Sequence, residues 1–192
     1  PLPRGGWTAL MFAARDGATE AARALADAGA NLNATALPQT DVPLKPEELA
    51  AAQSKNIGTS ALVYAIINVH YDLAAMLLEK GADPNVVDGA GMGALYAAVD
   101  MNSLQWVQGR PAPILLDKLD GVDLVKLLLA KGANPNARLT GKPLKRHHDA
   151  GSTLNFGEGT TPLIRAARTN DVAVMTALLD GGAGPFITLP HR

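Results

Sequence analysis

The residues that come closest to metal chemistry are His147, His148 and Asp149, which could offer two imidazoles and a carboxylate to an ion. A zinc ion held by a protein takes three or four ligands that converge on it. Adjacent side chains in a loop seldom converge in this way, and no third histidine is near in the sequence. The sequence therefore predicts neither a metal site nor a metal cofactor here.

A second pattern suggests phosphate binding. The segment Gly89-Ala90-Gly91-Met92-Gly93-Ala94 matches a loose G-x-G-x-x-A pattern. In nucleotide-binding proteins such a loop follows a strand and opens a helix in a βαβ unit. Here it follows Pro84-Asn85-Val86 in an expected turn, so we do not predict a nucleotide site. His70 falls at a turn between two predicted helices, where a packing role is expected. No Ser-His-Asp order or carboxylate pair can be specified, so we expect no catalytic residues and no enzyme activity.

A basic segment offers a third kind of chemistry, the binding of phosphate or of an acidic protein surface. It contains Arg138, Lys142, Lys145 and Arg146 beside the two histidines. Aromatic residues that could stack on bases are absent from it, which favours a solvated loop over a nucleic-acid contact.

The composition limits the remaining classes. The chain of 192 residues has a net charge of −1 and no cysteine, which excludes disulfides, thiolate catalysis and cysteine-based zinc sites. No apolar run is long enough to cross a bilayer, and no signal peptide is visible. Because the chain begins at Pro1 without a methionine, we expect a trimmed segment of a longer array, and the compartment stays open.

A fourfold internal repeat organises the sequence that carries these residues. A Gly-Ala-x turn recurs at Gly29–Asn31, Gly81–Asp83, Gly132–Asn134 and Gly182–Gly184. Two helical blocks precede each turn, and the first block opens at a small residue: Thr8, Ser60, Gly93 and Thr161. Hydroxyl side chains cap helix starts, and a left-handed glycine ends a helix. The sequence predicts an all-α solenoid of four helix-turn-helix units with short hairpin connections.

The spacing and residue types indicate which solenoid this is. Ser60 and Gly93 are 33 residues apart, which is the ankyrin period. The opening triplets resemble the family's T-P-L signature, and they read Thr8-Ala9-Leu10, Ser60-Ala61-Leu62, Gly93-Ala94-Leu95 and Thr161-Pro162-Leu163. Asn33, Asn85 and Asn136 match the closing asparagine, which unit four replaces with Phe186. The chain therefore resembles the ankyrin repeat family over nearly its full length, and it looks like the inserted-loop arrays of bacterial ankyrin proteins.

Three insertions interrupt the period within what we expect to be a single domain, residues 1–192. The units are expected at about 4–34, 58–87, 89–137 and 159–186, and the insertions at 35–57, 103–120 and 138–158. Pro46, Glu47 and Glu48 predict a short helix in the first insertion. The first and third insertions should emerge at the hairpin edge and the second at the opposite edge. Trp106 in the second is either an interface anchor or a cover for the core.

The family resemblance implies where a protein partner would bind. In ankyrin proteins the concave face and the hairpins bind, through the residue before each opening residue and two residues at the end of the first helix. These positions are Trp7, Arg15, Asp16, Thr59, Ile67, Asn68, Met92, Asp100, Met101, Thr160, Arg168 and Thr169. We expect Trp7, Ile67, Met92 and Met101 to form an exposed apolar stripe, as a protein interface requires.

The function expected from these features is a non-catalytic protein-protein interaction scaffold without cofactors. Two alternatives stay open. One is a structural spacer within a longer array, and the other is contact with an anionic ligand or nucleic acid through the basic segment 138–148. The partner and the oligomeric state are not determined by the sequence.

Overall fold

The computed structural model describes residues 7–36, 58–102, 116–141 and 157–189. In these ranges the chain forms eight helices and no strand. They are α1 (Ala9–Asp16), α2 (Thr19–Asp27), α3 (Ala61–Ile67), α4 (Tyr71–Glu79), α5 (Ala94–Asn102), α6 (Gly121–Ala130), α7 (Pro162–Arg168) and α8 (Val172–Asp180).

The helices pack in two layers. Helices α1, α3, α5 and α7 contact one another in chain order and form the first-helix layer. Helices α2, α4, α6 and α8 form the second-helix layer in the same order, and each packs against the first helix of its own unit. The all-α helix-turn-helix solenoid predicted from the sequence is confirmed. None of the helices in the described ranges is long and apolar enough to cross a membrane.

The predicted capping residues begin three of the four first helices. The hydroxyl oxygens of Thr8, Ser60 and Thr161 each accept a hydrogen bond from the backbone N–H three residues later. Such a cap stabilises a helix by about 1 kcal/mol. Pro162 occupies the first turn of α7, where its missing N–H costs nothing. Gly93 has no side chain that could cap α5.

The Gly-Ala-x turns end the second helices and connect the units. Their first glycines, Gly29, Gly81, Gly132 and Gly182, have φ between 84° and 96°, as predicted. The closing asparagines bond across to the next unit. The bonds run from Asp83 N–H to Asn33 Oδ1 (2.8 Å), from Asn134 N–H to Asn85 Oδ1 (2.8 Å), from Asn85 Nδ2 to Gly132 O (2.9 Å), from Gly184 N–H to Asn136 Oδ1 (2.7 Å) and from Asn136 Nδ2 to Gly182 O (3.1 Å). One asparagine thus links each pair of adjacent units.

The hairpins between units are closed by equivalent backbone hydrogen bonds. In the short hairpin, Asp88 N–H donates to Met92 O at 3.1 Å. The same bond joins Ala36 N–H to Thr59 O at 3.2 Å and Leu139 N–H to Thr160 O at 2.9 Å. Ala36 and Thr59 flank residues 37–57, and Leu139 and Thr160 flank residues 142–156, none of which is described. The described residues that flank each segment therefore meet in a hairpin stem.

Residues 117–119, at the end of the expected second insertion, dock on the preceding unit. The Asp117 carboxylate accepts the Asp72 N–H at 2.9 Å at the start of α4. In return, the Asp72 carboxylate accepts N–H groups from Lys118 (3.0 Å) and Leu119 (3.2 Å). The side chain of His70, the N-cap residue, makes no capping bond there. The exchange between Asp72 and residues 117–119 caps α4 instead.

Candidate functional site

Two rows of equivalent positions run along the first-helix layer. We call the side of the layer that these positions share the inner face. One row lies four residues after each opening residue and comprises Phe12, Tyr64, Ala97 and Arg165. The other lies seven residues after it and comprises Arg15, Ile67, Asp100 and Arg168. Residues three apart share one side of a helix. The rows are largely aromatic and apolar in units one and two and largely charged in units three and four.

Trp7, Phe12 and Tyr64 form a group where units one and two join, which we call the aromatic cluster. The Trp7 ring centroid lies 5.1 Å from that of Phe12, with 51° between the planes. It lies 4.3 Å from that of Tyr64, with 41° between the planes. Tilted rings at this separation attract each other beyond the area they bury. Each ring is half-buried, so part of its surface faces solvent.

Arg15 covers the edge of the aromatic cluster. Its guanidinium lies 5.5 Å from the Trp7 ring centroid and 5.3 Å from that of Phe12, within the range of cation–π attraction. Its Nε and Nη2 donate to the two carboxylate oxygens of Asp16, at 2.6 and 3.1 Å. This hydrogen bond from Arg15 lowers the pKa of Asp16 and raises the pKa of Arg15. Both charged groups lie at the rim of the cluster, where Asp16 is exposed and Arg15 is half-buried.

Tyr64 joins the aromatic cluster to Thr59, in the hairpin stem that Ala36 and Thr59 form. Burial raises the pKa of Tyr64, a hydrogen bond with the Thr59 side chain lowers it, and the Asp88 charge raises it further. Beside it, Ile67 on the inner face and Val69 in the turn after α3 are half-buried against the core. Val69 has a φ of 65°, a left-handed conformation that β-branched residues rarely adopt. The equivalent turn of unit one has Gly17.

The carboxylate of Asp88 organises the hairpin that contains the loose phosphate-loop pattern. Its Oδ1 accepts the N–H groups of Ala90 and Met92, both at 2.9 Å, and its backbone oxygen accepts the Gly91 N–H at 2.9 Å. These three N–H groups are therefore already bonded and are not available to a phosphate. Asp88 Oδ2 is buried without a hydrogen-bond partner among the described residues. Burial raises the pKa of Asp88.

Units three and four carry an ion pair at the equivalent place on the inner face. Arg165 Nε donates to Asp100 Oδ1 at 2.7 Å, and the Arg165 side chain is only 7% exposed. Arg168 is exposed and Thr169 half-buried, with the Thr169 hydroxyl donating to the Ala166 carbonyl at 3.1 Å. Asp100 and Arg165 thus pair with each other within the chain.

The expected exposed stripe is wrong for two of its four members. Met92 is 1% exposed and Met101 8%, whereas Trp7 and Ile67 are half-buried. Met92 lies at the base of the short hairpin, where its carbonyl closes the stem, and both methionines belong to the apolar core. Thr59 (2%) and Thr160 (0%), expected as partner contacts, are buried in the corresponding stems.

Several candidates from the sequence lie outside the described residues. They are His147, His148 and Asp149, the basic residues Lys142, Lys145 and Arg146, the predicted helix near Pro46, and Trp106. Arg138 is described, and its Nη1 donates to the Thr188 carbonyl at 3.4 Å. Within the four described ranges, no group of three histidine or acidic side chains could hold a metal ion. The His70 ring packs against Gly17, where an added Cβ would lie 2.5 Å from it.

The sequence interpretation missed two residues of the inner face, Phe12 and Tyr64. A comparison of the positions four residues after each opening residue would have found the two rings, because aromatic residues are rare in this chain. No sequence signal indicates the left-handed backbone of Val69.

Comparison with protein-family models agrees with this architecture. The model described as "Ankyrin repeats (3 copies)" matches residues 3–88. The model described as "Ankyrin repeat" matches residues 158–188. The matched segments contain units one, two and four, and unit three lies between them.

Proposed function

Because the chain belongs to the ankyrin repeat family, we propose that it is a non-catalytic scaffold that binds a protein partner through the inner face of units one and two. Members of this family are generally protein-protein interaction modules and are typically non-enzymatic. The aromatic cluster is the anchor of that contact. The observation that carries the proposal is the half-exposed state of Trp7, Phe12 and Tyr64 beside Arg15.

The residue types support this location. Tryptophan, tyrosine and arginine dominate the energetically important centres of protein interfaces. Trp7 and Tyr64 offer ring surface that the fold leaves uncovered, and Ile67 extends it along α3. The aromatic rings are already packed against one another, so a partner would order few side chains on binding. Arg15, Asp16 and Asn68 then form the polar rim.

Fewer than the twelve expected residues can contact a partner. The side chains of Thr59, Met92, Met101 and Thr160 are buried, so a partner could not reach them, and they support the face from within. Asp100 is committed to Arg165. Arg168 and Thr169 lie at the far end of the face, where they would extend the contact only for a long partner.

Pairing of charges on the inner face supports binding over catalysis. Arg15 bonds Asp16, and Asp100 bonds Arg165. Acid-base catalysis requires a titratable group that can reach a substrate proton. The paired groups on this face serve the fold and the rim instead.

Position-specific photo-crosslinking in cells that express the chain tests the proposal. A benzophenone amino acid at exposed Asn68 on the inner face should give a discrete protein adduct. The same group at exposed Lys126, on α6 of the second-helix layer, is the matched control and should not give that adduct. Trp7→Ser should abolish the Asn68 adduct while the variant stays folded by circular dichroism.

Two results would contradict the proposal. One is an equal adduct from Asn68 and Lys126, which would show contact without preference for a face. The other is an Asn68 adduct that Trp7→Ser leaves unchanged, which would show that the aromatic cluster does not anchor the partner.

A further inference from the structure

The ion pair of Arg15 and Asp16 at the rim of the aromatic cluster differs from the other ion pair of the inner face in its exposure. The side chains of Arg15 and Asp16 are 29% and 56% exposed. Those of Arg165 and Asp100 are only 7% and 20% exposed. An exposed ion pair contributes little to stability, because water screens both charges. Arg15 can therefore exchange its carboxylate for another one at little cost to the fold.

Asp16 is a weakly placed counter-charge for this arginine. It is the last residue of α1, where the partial negative charge of a helix C-terminus disfavours a carboxylate. Adjacent residues of a helix do not face each other, so the helix itself does not hold these two side chains together. A carboxylate from outside the chain would meet no such disadvantage.

The guanidinium of Arg15 has the geometry that recognises a carboxylate. Its Nε and Nη2 donate to both carboxylate oxygens of Asp16, at 2.6 and 3.1 Å. Arginine forms this fork with carboxylates, and lysine cannot. Among the described residues, Nη1 of Arg15 donates no hydrogen bond. The same guanidinium lies 5.5 and 5.3 Å from the ring centroids of Trp7 and Phe12. A charged fork and solvent-exposed ring surface thus lie side by side.

We propose that the partner places an aspartate or glutamate carboxylate on Arg15 and a large apolar side chain on the aromatic cluster beside it. This inference rests on the proposed function, because it names the chemistry of the partner at the same site. In the free chain Asp16 occupies the place of the partner's carboxylate, and it competes with that carboxylate on binding. A cationic side chain is disfavoured there, since Arg15 already holds the cationic position over the rings.

NMR titration of the complete chain with two small probes tests this inference. The probes are 3-phenylpropionate, which joins a ring to a carboxylate, and 3-phenylpropionamide, its neutral counterpart. Molecules of this size should bind with dissociation constants on the order of a few millimolar, followed at the Trp7 indole N–H signal. We expect the carboxylate to bind more tightly than the amide, and Arg15→Gln should remove that difference. Asp16→Ala removes the competing carboxylate and should tighten binding of the carboxylate probe about threefold.

Arg23→Gln is the matched control, because it removes the same charge from an exposed position of α2, in the second-helix layer of unit one. It should leave the affinity of both probes unchanged. The yield of the Asn68 photo-adduct should follow the same order: Arg15→Gln lowers it, Asp16→Ala raises it and Arg23→Gln leaves it unchanged. All three variants should keep the circular dichroism spectrum of the wild type.

Equal affinity of the wild-type chain for the two probes would overturn the inference. A preference for the carboxylate that survives Arg15→Gln, that Arg23→Gln removes equally, or that Asp16→Ala does not increase would overturn it as well. An Asn68 adduct that Trp7→Ser abolishes but Arg15→Gln leaves unchanged would overturn this inference and leave the proposed function standing. An adduct that Trp7→Ser leaves unchanged would contradict the proposed function itself.

Discussion

Units one and two and units three and four use the same positions of the inner face in opposite ways. At the junction of units one and two, Arg15 lies over aromatic rings and bonds an exposed carboxylate. At the junction of units three and four, Asp100 occupies the position of Arg15 and bonds buried Arg165. One junction keeps apolar ring surface open to solvent, and the other encloses its charges.

This difference shows that a repeat position does not by itself define a binding residue. In units three and four the charged residues pair with each other, because the buried charge of Arg165 is stable only beside a counter-charge. The rings in units one and two lose little by remaining half-exposed, and they keep surface that a partner could bury. Units three and four therefore stabilise the scaffold, and units one and two are the part that we propose for recognition.

The largest expected effect is on the ion pair of units three and four. Asp100→Ala removes the carboxylate that Arg165 bonds and should lower the free energy of unfolding by about 3 kcal/mol, measured by urea denaturation. The double variant Asp100→Ala, Arg165→Met should recover much of that loss.

The matching change in unit one is Asp16→Ala, which removes the exposed partner of Arg15. It should shift the urea midpoint far less than Asp100→Ala, because water and salt screen exposed charges. Equal shifts for the two variants would mean that the two junctions do not differ as described.

The next effect compares the helix turns of the two halves. Gly17→Ala should destabilise the chain by about 2 kcal/mol, since it adds left-handed strain and places a methyl group against the His70 ring. Asn170, with φ of 56°, forms the equivalent turn in unit four. Asn170→Ala adds only the strain and should cost about 1 kcal/mol. Thermal melting of both variants measures these losses. A larger drop in melting temperature for Asn170→Ala than for Gly17→Ala would contradict the prediction.

A third prediction separates exposed from enclosed apolar residues. Trp7→Ala should cost about 1 to 2 kcal/mol of unfolding free energy, because the ring is only half-buried. Met92→Ala removes a smaller side chain but should cost about 3 kcal/mol, because Met92 is fully enclosed. If urea denaturation gave the larger loss for Trp7→Ala, the aromatic cluster would be part of the core rather than an available surface.

The smallest expected effect is a pH dependence of the free energy of unfolding. It arises at Asp88 in the short hairpin, which contacts both halves. Burial raises the pKa of Asp88 above its ordinary value of 3.8, so the folded chain binds this proton more tightly than the unfolded chain. The resulting stability is complete below pH 3.8 and is lost as the pH rises through the raised pKa. Tyr64 is the neighbouring titratable group that the Asp88 charge affects.

Asp88→Asn tests this dependence because the amide oxygen can still accept from Ala90 and Met92. The free energy of unfolding of the variant minus that of the wild type should be larger at about pH 7 than at about pH 3.5, because only the wild type loses stability as the pH rises. A difference that stays constant across this range would mean that Asp88 keeps an ordinary pKa in the folded chain.

Much of the fold could be predicted because it depends on local chemistry. Thr8, Ser60 and Thr161 cap helices through their own hydroxyl groups. Gly81 ends a helix because its backbone can adopt a positive φ. The candidate site was predicted less well. The family resemblance predicts an exposed Met92, but its side chain belongs to the buried core, which several units build together.

The four units, their helices, their closing turns and the family can be predicted from the sequence, because each follows from residue types within one period. Which face residues stay available depends on how the units stack. Trp7, Phe12 and Tyr64 meet across two units, and Asp100 reaches Arg165 across 65 residues. Exposure and pairing are properties of neighbours brought together by stacking, and a single repeat does not contain that information.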